Sequence, residues 1–161
     1  MFCKSLDELI QKVTPARKGR RLVFTNGCFD LLHAGHIRYL QTAKALGRKL
    51  IVGLNSDQSV QQIKPPRPGK PSRPIVPELQ RAEVICALKA VDAVVIFNEP
   101  TAISLISRIE PDIYVKGGDY TLNTLPEAPV VKAYGGHIEL VKVEINCSTT
   151  AIVQRILAAN K

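Results

Sequence analysis

Tryptophan is absent, and aromatic residues make up only 5% of the 161-residue chain. Domains that hold single-stranded nucleic acid stack its bases on aromatic rings, so this scarcity argues against a nucleic-acid partner although the net charge is +8. An excess of Lys and Arg serves equally well to attract a small polyanion such as a nucleoside triphosphate. The four cysteines, Cys3, Cys28, Cys86 and Cys147, are scattered and form no Cys-x-x-Cys pair. That spacing argues against a zinc ribbon or a dithiol redox motif and fits the reduced thiols of a cytosolic protein. No apolar stretch approaches the ~20 residues that span a bilayer, so no membrane association is expected. The opening Met1-Phe2-Cys3-Lys4-Ser5 has neither the basic nor the apolar region of a signal peptide, and the expected location is cytoplasmic. No internal repeat is visible.

What is present is a hydrophobic fraction of 45% in a chain of single-domain length. Residues 1–161 read as one domain, with an N-terminal helix and connection at 1–21 and a basic, proline-rich loop at 64–77. The opening helix is capped by Ser5 and ends before Pro15. Apolar runs at 22–25, 49–54, 93–97, 113–116 and 138–143 read as strands. Between them, helical patterns occupy 35–46, a short piece from Ser56, 77–88, 101–109 and 128–134, and Ser148 caps a closing helix to about residue 159. Unbroken Val, Ile and Leu in strands that alternate with helices describe a parallel sheet covered on both faces. The predicted fold is therefore α/β, a Rossmann-like, doubly wound, five-stranded parallel sheet. Its ligand crevice lies at the carboxyl ends of the strands, where strand order reverses. Asn26-Gly27, Asn55-Ser56, Gly117-Gly118 and Asn146-Cys147 all follow strand ends, which predicts one shared rim. Ile152, Ile156 and Leu157 of the closing helix are expected to cover the sheet.

Six of the 11 prolines fall between Pro65 and Pro77, which forbids a helix or a central strand there. The segment also carries Lys64, Arg67, Lys70 and Arg73, so a lid over an anionic substrate is favoured over an inert linker.

The most informative stretch is Thr25-Asn26-Gly27-Cys28-Phe29-Asp30-Leu31-Leu32-His33-Ala34-Gly35-His36. A strand enters a tight turn, and a helix begins at two histidines. Free backbone N–H groups and the positive end of the helix dipole then face the same anion. Two imidazoles at that place can donate hydrogen bonds to phosphate oxygens as charge develops on them. Nucleotide chemistry follows from these residues themselves.

The block Gly27-Cys28-Phe29-Asp30-Leu31-Leu32-His33-Ala34-Gly35-His36 resembles the nucleotidyltransferase superfamily that carries a His-x-Gly-His motif, in its cytidylyltransferase-type branch. Further marks are Asn55-Ser56-Asp57, Ser72-Arg73-Pro74, Gln80-Arg81, Val91-Asp92, Lys116-Gly117-Gly118-Asp119-Tyr120 and Cys147-Ser148-Thr149-Thr150. In that order they are similar to the adenylyltransferase domain of the bacterial enzymes that make ADP-heptose. Related glycerol-phosphate cytidylyltransferases place an Arg shortly before their Ser-Thr-Thr, whereas this chain reads Val143-Glu144-Ile145-Asn146. The difference favours the heptose branch.

The resemblance implies transfer of AMP from ATP to D-glycero-D-manno-heptose 1-phosphate, with Mg²⁺ accompanying ATP and no dedicated carboxylate cage for the metal. It implies a free-standing enzyme, a separate sugar kinase in the pathway, and a homo-oligomer. His33, His36 and Lys64 are the expected catalytic residues, Lys64 bridging the α-phosphate and the sugar phosphate. Cys28, Phe29, Gly35 and Asn55 are expected around the nucleotide. Gly117, Gly118 and Asp119 are expected at the nucleoside, and Ser148 and Thr149 at the β- and γ-phosphates. Arg73 and Arg81 are candidates for the sugar phosphate. Asp30 is placed either at the sugar or on the backbone N–H groups of its own turn. The alternatives are a glycerol- or ethanolamine-phosphate cytidylyltransferase, a guanylyl-transferring heptose enzyme, and a non-catalytic nucleotide- or RNA-binding module.

Overall fold

The computed structural model of the chain describes residues 1–13, 21–66, 71–118, 120–142 and 148–159. The strands are β1 (Phe2–Cys3), β2 (Leu22–Gly27), β3 (Lys49–Asn55), β4 (Ala93–Phe97), β5 (Ile113–Gly117) and β6 (His137–Val141). The helices are α1 (Leu6–Val13), α2 (Ala34–Ala45), α3 (Asp57–Ile63), α4 (Glu78–Cys86), α5 (Ile103–Ile109), α6 (Ala128–Ala133) and α7 (Thr149–Ala158). All strand pairs are parallel, in the order β1-β4-β3-β2-β5-β6.

Among the described residues the sheet has six strands, not the five expected. The added one, β1, lies at the edge against β4, with Phe2 opposite Val94 and Cys3 opposite Val95. Two residues are too short to show a hydrophobic period. The strand is tied by the terminal amine of Met1, which donates to the Asp92 carbonyl at 2.9 Å. The expected strand at 138–143 begins one residue earlier, at His137, and Val143 lies outside the described residues.

Each face of the sheet is sealed by helices, as double winding requires. Phe24, Ile51, Val95 and Tyr114 face one way and pack with Leu9 of α1, Leu105, Ile106 and Ile109 of α5, and Val131 of α6. Val23, Leu50, Val52 and Val115 face the other way and pack with Leu40 and Ala43 of α2 and Ala82 and Ile85 of α4. The closing helix contributes less than expected, since Ile156 is 55% and Leu157 49% exposed. No helix among the described residues is long and apolar enough to cross a membrane.

From β2 the chain moves outward through β3 to β4, then returns to β5 on the other side of β2. The order therefore reverses between β2 and β5, the position at which such sheets open a crevice. The register shows the opening. The ladder between β2 and β5 ends at Thr25 opposite Val115, although β2 continues to Gly27 and β5 to Gly117. Tyr39 of α2 fills the base of this fork. Its hydroxyl donates to the Val115 carbonyl at 3.0 Å and lies 2.6 Å from Thr25 Oγ1. A Cβ at position 117 would sit 2.9 Å from that ring, so glycine is what lets the ring close against β5.

Candidate functional site

A cleft of about 340 Å³ lies over the fork, between the N-termini of α2 and α7. One wall is the turn from β2 into α2. Phe29 adopts a left-handed φ of +43°, uncommon for a bulky residue. Its ring folds back over Gly27, where a Cβ would stand 3.0 Å from it. The same ring packs against His36 with centroids 5.4 Å apart. His33 is the N-cap of α2, and His36 follows one turn later on the same side. Their rings stack, with centroids 3.8 Å and planes 30° apart.

Neither histidine is poised as a cation. Burial lowers the His36 pKa to about 4, assisted by the neighbouring His33 and Lys64, and burial lowers that of His33 as well. Both Nδ1 atoms are buried without a hydrogen-bond partner among the described residues. The pair is thus neutral at pH 7, two imidazoles in a wall that also presents the helix dipole. The sign of the stability dependence follows. Between the unfolded-state pKa of about 6.5 and the native value of about 4, the unfolded chain binds a proton that the native His36 does not. Native stability is therefore full above this window and falls as pH drops through it. Histidine Cε1–H titration by NMR is expected to place His36 near pH 4, and to move it upward when pyrophosphate enters the cleft.

The opposite wall is the N-terminus of α7. Ser148 Oγ accepts from the Ala151 N–H at 3.1 Å as an N-cap, which leaves its own hydroxyl hydrogen free to donate. Ser148, Thr149 and Thr150 all line the cleft, as do Gly35, Gly117, Gly118 and Cys28. Burial pushes the Cys28 thiol up, which keeps it protonated. Lys64, exposed at the C-terminus of α3, and Arg73 complete the lining. The structure thus brings His33, His36, Lys64, Ser148 and Thr149 to one cavity, although His33 and His36 precede Ser148 by 115 and 112 positions in the 161-residue chain.

Three expected residues stand elsewhere or are already engaged. Arg81, expected at the sugar phosphate, is 1% exposed and outside the cleft. It donates to the carbonyls of Val76 at 2.8 Å, Cys28 at 2.6 Å and Asn55 at 2.9 Å, and to Asp57 Oδ1 at 2.7 Å. Those bonds occupy its fork, so it ties the loops after β2 and β3 to residue 76. Asn55, expected at the nucleotide, is also buried away from the cleft, and its amide donates to Ser59 Oγ at 2.9 Å. Asp30 bonds backbone N–H groups, but those of Ile75 and Val76 and not those of its own turn as expected. Its carboxylate receives the N–H groups of Ile75 and Val76 at 2.9 Å and pairs with Arg73. Burial would raise its pKa, but those N–H groups and Arg73 outweigh it and hold the carboxyl below its usual range. Asp119, Arg67, Lys70, Asn146 and Cys147 lie outside the described residues, so the lid expected of the proline-rich loop is described only at its ends. Sequence reasoning gave no role to Asn26, Tyr39, Lys116 or Thr150, which also line the cleft. Lys116 was visible only as a letter in a motif.

For a divalent cation the donor set is poor. No group of three His, Cys, Asp or Glu residues suited to a metal occurs among the described residues. Asp30, the one carboxylate lining the cleft among the described residues, is already satisfied.

Opposed helix N-termini and neutral imidazoles at the switch point of a parallel sheet define a phosphate-handling α/β site. The chain belongs to the cytidylyltransferase-like family, whose profile matches residues 24–155, and it is a nucleotidyltransferase. It is 50% identical over 141 residues to the bifunctional protein HldE of Syntrophotalea carbinolica, covering 88% of this chain and 28% of that protein. It is 45% identical over 157 residues to the bifunctional protein HldE of Geobacter sulfurreducens, covering 97% of this chain and 31% of that one. The chain therefore spans less than a third of the length of these relatives. Among solved structures, the lipopolysaccharide core biosynthesis protein of Thermoplasma volcanium matches with a TM-score of 0.63 and 28% identity, over 80% of this chain and all of that one.

Proposed function

We propose that this protein transfers AMP from ATP to D-glycero-D-manno-heptose 1-phosphate, giving ADP-heptose and pyrophosphate. The observation that carries the reading is the stacked His33–His36 pair at one helix N-terminus, facing Ser148 and Thr149 at another across a single cleft. A phosphate oxygen of the sugar attacks the α-phosphorus in line. A new P–O bond forms as the bond to the β-phosphate oxygen breaks, and its electrons leave on pyrophosphate. The attacking phosphate is already ionised near neutral pH, so the site needs donors rather than a base. Neutral His33 and His36 donate to the triphosphate as the α-phosphorus becomes five-coordinate. Ser148, Thr149 and the N–H groups of α7 hold the β- and γ-phosphates. Lys64 offsets the charge of the two phosphates that meet. Asp30 and Arg73 act together, the carboxylate fixing the guanidinium at the cleft's edge. Mg²⁺ would enter with ATP and would supply charge neutralisation for the leaving group, without a ligand cluster from the described residues.

The choice of heptose is supported by the ordered motifs and by the identity of 45–50% to the HldE proteins. A sugar kinase activity must then supply the phosphorylated acceptor. Pyrophosphate release, assayed with ATP, CTP and GTP against heptose 1-phosphate, glycerol phosphate and ethanolamine phosphate, tests the proposal. The expected result is turnover with ATP and the heptose phosphate. Preference for CTP with a polyol phosphate would replace it with a cytidylyltransferase, and silence in every combination would replace it with a binding module.

A further inference from the structure

Lys116 has no part in the roles given above, yet its amine is one of the most constrained polar groups in the cleft. It projects from the last turn-ward residues of β5, just beyond the point where β2 and β5 part. Its Nζ donates to Asn26 Oδ1 at 3.0 Å, directly across the fork. Asn26 is itself held, because the buried Tyr114 hydroxyl donates to the same oxygen at 2.7 Å. The amine also lies 5.4 Å from the centroid of the Tyr120 ring. Among the described residues no carboxylate reaches it within ion-pair distance. Buried Glu127 attracts it from further off without forming an ion pair.

A half-buried ammonium with an amide oxygen and a ring face for company is costly. Burial accordingly lowers the Lys116 pKa. An apolar side chain of the same length would fill this position at lower cost to folding. An ammonium has three N–H donors, and the bond to Asn26 uses one of them. The amine lines the same cavity as the stacked histidines and the N-terminus of α7. A cation fixed in this way, and short of a counter-charge, is arranged for an incoming anion.

We infer that Lys116 is a phosphate-binding residue of this site, oriented by Asn26 and Tyr114, and that it holds an oxygen of one of the two phosphates joined in the reaction. Which reaction that is rests on the proposed adenylyl transfer; that an anion binds here does not. The phosphate can belong to the nucleotide or to the acceptor, and the test separates the two.

The variant is Lys116→Gln, which keeps most of the length and a donor but removes the charge. It is expected to melt at or above the wild-type temperature, because a poorly compensated charge has been removed. Its affinity for phosphate is expected to fall about 10- to 100-fold, the loss typical of a charge-assisted hydrogen bond. In one arm, calorimetry measures ATP binding without acceptor. In the other, the KM for the sugar phosphate is measured at saturating ATP. A loss in the first arm assigns the amine to the nucleotide, and a loss confined to the second assigns it to the acceptor. Unchanged binding in both arms would overturn the inference, as would a loss that only tracks a lowered melting temperature. Should the wild type turn over none of the sugar phosphates, the adenylyl-transfer reading fails by itself. Lys116 is then judged from the binding of ATP and inorganic phosphate to the two proteins.

Discussion

Replacing His36 with alanine is expected to lower turnover by about 10²–10³-fold, the effect of removing one well-aimed donor from a developing oxyanion. The fold should survive, because His36 is half-buried in the cleft wall and the α2 core contacts come from Leu40 and Ala43. His36→Gln makes the argument sharper. It restores an N–H donor and no base, so partial recovery over His36→Ala is expected if the histidine stabilises charge. Equal inactivity of the two variants would instead point to proton transfer. Near-normal turnover in a folded His36→Ala protein would remove the residue from the mechanism. The same substitution should flatten the loss of stability between about pH 6.5 and 4, since the native group with the depressed pKa is gone.

The largest effect on stability is expected at Arg81, not in the cleft. Its side chain is fully buried and makes four hydrogen bonds, to three carbonyls and the Asp57 carboxylate. Arg81→Met removes all of them and leaves buried acceptors without donors. Each buried acceptor left without its donor typically costs about 1–3 kcal/mol, and three carbonyls lose theirs. For a domain of this size that corresponds to a fall in Tm of about 10 °C or more. Thermal denaturation followed by circular dichroism measures it directly. A Tm matching the wild type would show that the loops it joins are held by other contacts. Arg81→Lys should also fail, because a single ammonium cannot span the separate acceptors that a planar guanidinium reaches.

Arg81 also shows where reading the sequence stops. A guanidinium fits a phosphate and a ring of carbonyls equally well, and the one-dimensional signal is the same for both. Only the folded chain shows that residues 28, 55, 57 and 76 converge on it. Asn55 failed as a nucleotide contact for the same reason, since a strand-end amide can face either the crevice or the next helix. Asp30 was legible as a residue that could bond backbone N–H groups, but not that these would come from Ile75 and Val76, 45 and 46 positions away. By contrast, the local structure of the histidine turn was legible, because a strand, a glycine and a helix start are specified by neighbouring residues. The doubly wound sheet was legible because buried parallel strands leave unbroken apolar runs. Its edge strand was not, because Phe2–Cys3 is two residues long. Lys116 required a partner 90 positions away, Asn26, before its letter in the motif acquired a meaning.

The parting of β2 and β5 has a further consequence for how such a site can change. Its floor is made where the central strands separate, with the Tyr39 ring wedged at the base. That floor cannot shift without repacking both faces of the sheet. The edge of the cleft at residues 73–76 is held differently, by the Asp30 carboxylate through Arg73 and the N–H groups of Ile75 and Val76. On the proposed reading, substitutions along that edge can retune which acceptor is admitted while the histidine wall and the floor stay in place. Tolerance to change is then greatest where the cleft is farthest from the central strands.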